Sequence, residues 1–289
     1  MLELSSKGQE SASGNSDGRS AISQSDLKII AKSKTALETE SVAMRLSNIA
    51  GENINILVKR LPASAQRAIT KSVNGSLTKA TEWAFMTTGT KRNPILRSDW
   101  IHNGAVVITG GIGGSLGLLS TPWELPISTM LMLRSIGCIA EEEGMSMADQ
   151  KTRLACVSVL AMGANSQKFQ GDELGYWVTR KVMAGFVTEL LEWGGKGTSP
   201  VLVRFIMATA ARYGLVISEK VAAQLAPIAG AVTGAAINHI FLTHFQSVAH
   251  AHFSLERLVL KYGETAVKAA YDRTEPADSL IELPSPATA

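Results

Sequence analysis

GAVVITGGIGGSLGLLSTPWELPISTMLMLRSIG, residues Gly104 to Gly137, decides the fold. An apolar run crowded with glycine meets a Thr-Pro-Trp-Glu-Leu-Pro break, and a second apolar run follows. Gly110, Gly114 and Leu118 stand four apart, as do Gly113 and Gly117. Glycine costs a helix roughly 1 kcal/mol per residue relative to alanine, so close approach of a second helix must offset it. A later stretch, LAPIAGAVTGAAIN from Leu225 to Asn238, has the same character, with Ala226, Gly230, Gly234 and Asn238 on a four-residue stripe. The two stretches predict close-packed, glycine-rich helical hairpin elements at the centre of an all-α multi-helix bundle.

Outward from that centre the chain keeps helical periodicity. A helix is expected from Ser25 toward Arg60, with a break at Gly51, and Pro62 opens the next. Thr87 to Arg97 reads as a loop. Thr121-Pro122-Trp123-Glu124 reads as a capping box at a helix start, with the helix expected over Ile127–Glu143 and ending at Gly144. The three glutamates at that end oppose the helix dipole, so they are expected to be solvated or paired with another element. Further helices are expected over Ser146–Ala164, Gly171–Trp193, Val201–Tyr213, from Ser218 to a stop at Pro227, from the second glycine stretch to Tyr262, and over Glu264–Tyr271. No β-alternation of useful length appears. Residues 1–23 read as a disordered tail, 24–272 as one helical domain and 273–289 as a flexible tail.

Composition narrows function. Hydrophobic residues make up 45% of the 289 and charged residues only 18%, with a net charge of +3. So small a charge gives no footprint for nucleic acid. The charge is uneven, however: Lys28 to Arg97 holds twelve Lys and Arg against Glu38, Glu40, Glu52 and Glu82. Lys91, Arg92 and Arg97 in the expected loop are the candidates for contact with an anionic membrane surface; a solvated helix face and an ordinary surface loop are the plain alternatives. No apolar leader precedes the first helix, and the glycine run is barely the length of a membrane span. These features point to the cytoplasm, peripheral to the inner membrane. Cys138 and Cys156 are expected as reduced, buried thiols.

Catalytic motifs fail in detail. GGIGGSLG lacks the Lys-Ser/Thr of a P-loop, and Leu116 stands where a dinucleotide fingerprint needs its third glycine. Gly113 to Gly117 is formally GxSxG, but Ser115 has no parallel sheet to sit on. His239, His244, His250 and His252 are spaced five, six and two apart. At about 100° per residue they diverge, so no metal site and no cofactor is expected. The candidate ligand-binding residues are Glu124 and Arg134, ionisable groups in the most apolar region, with Asn238 at the end of the small-residue stripe and His244.

At this point the residues carry a likeness. GGIGGSLGLLSTPWELPISTMLMLRSIGCIAEEEG resembles the central motif of the EcsC protein family. APIAGAVTGAAINHIFLTHFQSVAHAHFSLERLVLKYG resembles its C-terminal motif, and the likeness spans about Lys71 to Gly263. It implies a helical bacterial protein, cytoplasmic or membrane-associated, linked to transport or secretion and without an established activity. The expected function is a non-enzymatic accessory protein with an anionic membrane surface and a membrane protein as partners. The alternative is a hydrolase using Glu124 with a histidine of the 239–252 cluster. The sequence leaves the oligomeric state open.

Overall fold

The computed structural model describes residues 21–38, 42, 45–47, 53–86, 121–164, 175–195, 197, 199–225 and 234–275; of 121–124, 225 and 234–236 it gives backbone alone. The described residues contain helices and no strand. They are α1 (Gln24–Glu38), α2 (Ile54–Lys59), α3 (Ala63–Phe85), α4 (Thr121–Glu142), α5 (Gln150–Met162), α6 (Tyr176–Trp193), α7 (Pro200–Leu225), α8 (Gly234–Tyr262) and α9 (Glu264–Arg273). Residues 42 and 45–47 are helical as well, and Val42 and Leu46 are buried.

The short helix α5 is the hub. It packs against α3, α4, α6, α7 and α8. Its sequence, QKTRLACVSVLAM, has no solvent stripe. Arg153, Leu154, Cys156, Val157, Ser158, Val159, Leu160 and Ala161 are all buried. The Ser158 hydroxyl donates back to the Leu154 carbonyl at 3.1 Å, so even its polar group is satisfied within the helix. Asp149 caps the start by accepting the Lys151 N–H at 3.0 Å.

Helix directions follow from a few contacts. The Arg153 guanidinium reaches carbonyls of both Ala84 and Met147, so α3 and α4 finish at the same end of the bundle. Gln246 donates to Ser135, and Ser254 donates to Glu143; both pairs are 111 residues apart. Helices α4 and α8 therefore run parallel and in step. Phe85 packs edge-on to Trp193 at 5.5 Å, which sets the end of α6 beside the end of α3. Tyr213 contacts Phe241 and Phe245, and the Lys220 ammonium lies over the Phe241 ring, so α7 runs back against α8. The amphipathic α1 lies on α8 and α9, burying Ile30 and Leu37.

Several sequence expectations change. The predicted helices at Val201–Tyr213 and from Ser218 are one continuous helix, α7. The Ser218 hydroxyl donates to the Gly214 carbonyl at 2.8 Å, acting inside the helix rather than capping a new one. Helix α4 passes through Pro126, which near the N-terminus removes only one backbone bond. Helix α5 starts at Gln150, four residues later than expected, because Met147 is buried beneath Gly137, where an added Cβ would stand 3.0 Å from its Cε. Cys138, expected in the core, is exposed on α4, while Cys156 is buried. Gly144 ends α4 as expected, with φ 86°, a conformation that favours glycine. The predicted pairing of Gly110 and Gly114 with Gly230 and Gly234 lies outside the described side chains.

Candidate functional site

The four residues named as ligand candidates lie on the parallel pair α4 and α8. Glu124 belongs to the first turn of α4, with its side chain outside the described residues. Arg134 is half-buried, one residue before the Ser135 that bonds Gln246. Asn238 is in the second turn of α8. The in-step register sets it level with Ile127 of α4, one turn from Glu124. Its Oδ1 is buried and accepts no hydrogen bond from the described residues. His244 is buried, and its Nε2–H donates to the Gly163 carbonyl at 2.6 Å. That bond ties the end of α5 to the middle of α8. The approach is tight, since a Cβ added to Gly163 would stand 2.4 Å from the Phe245 ring. Lys91, Arg92 and Arg97 lie outside the described residues.

The histidines of α8 disperse. His239 and His250 are exposed, and His250 Nδ1 stands 3.8 Å from Glu143. His252 is buried, with Nδ1 at 3.0 Å from the Tyr176 hydroxyl. Burial holds the His252 pKa down at about 4 and pushes that of Tyr176 up. Among the described residues no group of three or more His, Cys, Asp or Glu is placed to hold a metal ion.

Among the buried cations that sequence reasoning missed are Arg153 and Arg180. Arg153 is 4% exposed and uses its whole guanidinium on backbone carbonyls. Nε donates to Ala84 at 2.9 Å, Nη1 to Met147 and Ala148 at 2.9 and 2.8 Å, and Nη2 to Met86 at 3.2 Å. Burial lowers its pKa. Arg180 on α6 is clamped instead by carboxylates. Nε and Nη2 grip Glu256 of α8, Nη1 donates to Glu264 of α9 at 2.9 Å, and the guanidinium lies over the Trp177 ring at 5.3 Å. Burial works against its charge, but the bonds and charges of Glu256 and Glu264 outweigh that and raise its pKa. Burial likewise opposes the Glu256 charge, and His252 and Arg180 reverse the balance, so its pKa falls. The signal for Arg180 was present: it sits on the stripe Tyr176, Arg180, Met183, Val187 and Leu190, a cation at core spacing.

Other charged groups close the same end. Glu143 accepts from Ser254 at 2.8 Å and from Arg257 at 3.1 Å, which fulfils the expectation that a glutamate at the end of α4 would find a neighbouring element. Asp26 of α1 accepts from the Tyr262 hydroxyl at 2.6 Å and from Lys261 at 2.9 Å. Those bonds, the tyrosine first, lower its pKa to about 2. With each guanidinium nitrogen of Arg180 bonded to a carboxylate, this cluster is a clamp rather than a receptor.

The surface offers a different feature. Helix α7 is long and apolar enough to cross a membrane over Pro200–Gln224, with a mean hydropathy of 1.5 in its most apolar window, yet only 33% of that window is buried. Eight large hydrophobic residues are exposed among the described residues, and four of them, Val178, Val182, Val203 and Met207, lie on the neighbouring helices α6 and α7.

Compared with models of protein families, the chain matches the one described as the EcsC protein family over residues 24–258. The chain belongs to the EcsC protein family. The EcsC match starts at α1, well before the motifs that carry the resemblance, so the helix latched by Asp26 is part of the family unit. It takes in Arg153, Arg180, His252 and Glu256, while Tyr262 and Glu264 follow it. Comparison with curated proteins and with solved structures gives no match.

Proposed function

We propose that this EcsC-family chain is a non-enzymatic accessory protein that attaches to the cytoplasmic surface of the inner membrane in the service of transport or secretion. The observation that supports this is α7, an apolar helix that keeps most of its apolar window out of the core. A helix serving only as core would hide that surface. Attachment combines two forces. The apolar surface enters the interface, and basic residues, with Lys91, Arg92 and Arg97 among them, are drawn to anionic headgroups at up to about 1 kcal/mol each. Salt weakens the second force and leaves the first. Co-sedimentation of the full chain with vesicles of phosphatidylcholine, with and without phosphatidylglycerol, tests the proposal. Binding that needs the anionic lipid and weakens without vanishing in high salt is expected. No binding at low salt would remove the membrane from the account.

A further inference from the structure

Between Glu52 and Glu82 the chain holds five cations and no carboxylate: Lys59, Arg60, Arg67, Lys71 and Lys79. All five are exposed. On α3, Arg67, Lys71, Asn74 and Thr78 fall within roughly 60° of arc, and Lys79 stands about 80° beyond Lys71. All of these are exposed, and α3 exposes no large apolar side chain.

The cations of this face are uncommitted. Elsewhere, Arg204, Arg257, Lys261 and Lys268 each meet a carboxylate within 3.1 Å. Among the described residues, Lys59, Arg67, Lys71 and Lys79 meet none; Arg67 Nε donates to the Ala63 carbonyl of its own helix at 3.3 Å.

The neighbouring elements do not neutralise the face. Helices α4, α5 and α7 pack on α3, and α7 packs on α2. Helix α7 carries one carboxylate, Glu219, which is buried, with Arg204 exposed, Arg212 half-buried and Lys220 buried. Glu141, Glu142 and Asp149 are exposed, with Lys151, at the end where α3 and α4 finish, the end that also bears Glu82. Glu82 stands roughly 22 Å along the helix from Arg67, beyond a screening length of about 8 Å. Glu52 precedes α2, and Glu124 belongs to the first turn of α4. Even with both of those carboxylates counted, the five cations leave a net of +3.

Charge alone would draw any polyanion, and two features favour a lipid surface. The Thr70 and Thr78 hydroxyls already donate to carbonyls of their own helix, at 3.0 and 2.9 Å, so the face offers spread charge rather than a cradle for one phosphate. On α2, Ile56 is exposed, and Lys59 and Arg60 follow three and four residues later on the same side. An apolar side chain beside long cations fits the boundary between headgroups and acyl chains: the first enters it while the others reach phosphates. A nucleic-acid backbone offers no such apolar layer.

Resting on the membrane reading above, we infer that the α2–α3 face is the electrostatic docking surface for anionic lipid. Lys59, Arg60, Arg67 and Lys71 meet the headgroups, and the Glu82 end points away.

The test uses the full chain and phosphatidylcholine–phosphatidylglycerol vesicles. Lys59→Gln, Arg67→Gln and Lys71→Gln together should weaken binding at low salt at least about thirtyfold, since each cation at an anionic surface contributes about fivefold. Lys28→Gln, Lys32→Gln and Lys181→Gln remove the same charge from exposed positions on α1 and α6 and should weaken it about twofold or less. Asn74→Lys should tighten binding about fivefold and lose that advantage at high salt. All these sites are exposed, and circular dichroism checks that each variant keeps its helices. If the parent binds and the two triple variants weaken equally, the face is wrong while the membrane reading stands. If the parent does not bind, the membrane reading fails and this inference with it. Tighter binding to a double-stranded oligonucleotide than to the vesicles, at the same salt, would overturn lipid as the occupant.

Discussion

Arg153 and Arg180 are both buried with every guanidinium nitrogen hydrogen-bonded, and they are stabilised by opposite means. Arg153 donates only to neutral dipoles: four carbonyls from the end of α3 and the loop after α4. Arg180 is a charge among charges, the carboxylates of Glu256 and Glu264. Carbonyls cannot titrate, so the joint at Arg153 should be indifferent to pH. Carboxylates and the adjacent His252 can, so the joint at Arg180 should fail in acid. The same chain thus carries one pH-blind joint at its hub helix and one pH-dependent joint where α6, α8 and α9 meet.

The largest effect should come from Arg153→Met. It orphans carbonyls on two elements at once, and charge-assisted bonds are each worth about 1.5–3 kcal/mol, so a loss of about 4 kcal/mol is expected in urea unfolding. That loss should be the same at pH 5 and pH 8. A strong pH dependence would erase the contrast.

Arg180→Met should cost somewhat less, about 3 kcal/mol at neutral pH, because Glu256 is left partly buried without its partner. The cost should shrink with acid. The Glu256 pKa is depressed in the folded state, so the stability it confers is present above the unfolded carboxylate range. It is lost as pH falls through the lowered folded value. A cost that stays constant as pH falls well below the ordinary carboxylate range would mean that Glu256 contributes nothing through its charge.

A smaller and more diagnostic change is expected from His252→Asn, which keeps an acceptor or donor for Tyr176. The folded pKa of His252, about 4, lies below the ordinary imidazole value of 6.5. Between those values the unfolded chain binds more protons, so stability falls as pH drops. The variant should remove about 2 kcal/mol of that decline between pH 6.5 and pH 4.5. An unchanged slope would move the acid sensitivity elsewhere, and Asp26, lowered to about 2, would act only at lower pH.

Much of the helical order was legible in the sequence. Gly144 and Gly263 mark real helix ends with positive φ. The misjudged breaks share one cause. Gly214 and Ser218 read as a boundary, yet the space beside Gly214 is open and the serine bonds back to its own helix. Local punctuation sets a preference, and packing along a continuous apolar stripe overrides it. Of the candidate site, the sequence brought out Asn238 and His244 as residues of interest and did not foresee that His244 is bound to the carbonyl of Gly163.

The sequence by itself determined what depends on neighbours three or four residues away: the all-α class, most helix ends and the likeness to the EcsC family. Tertiary structure alone decided which charges are buried and what they meet. Arg153 finds its acceptors on α3 some 67 to 69 residues away, and they are backbone carbonyls that nearly any side chain could accompany. The in-step parallel packing of α4 and α8 likewise rests on pairs 111 residues apart. A helix period repeats every 3.6 residues and carries no record of such distances. The half of α7 that faces outward reads in sequence as apolar as the half that is buried; only the placement of its neighbours leaves one of them open to solvent.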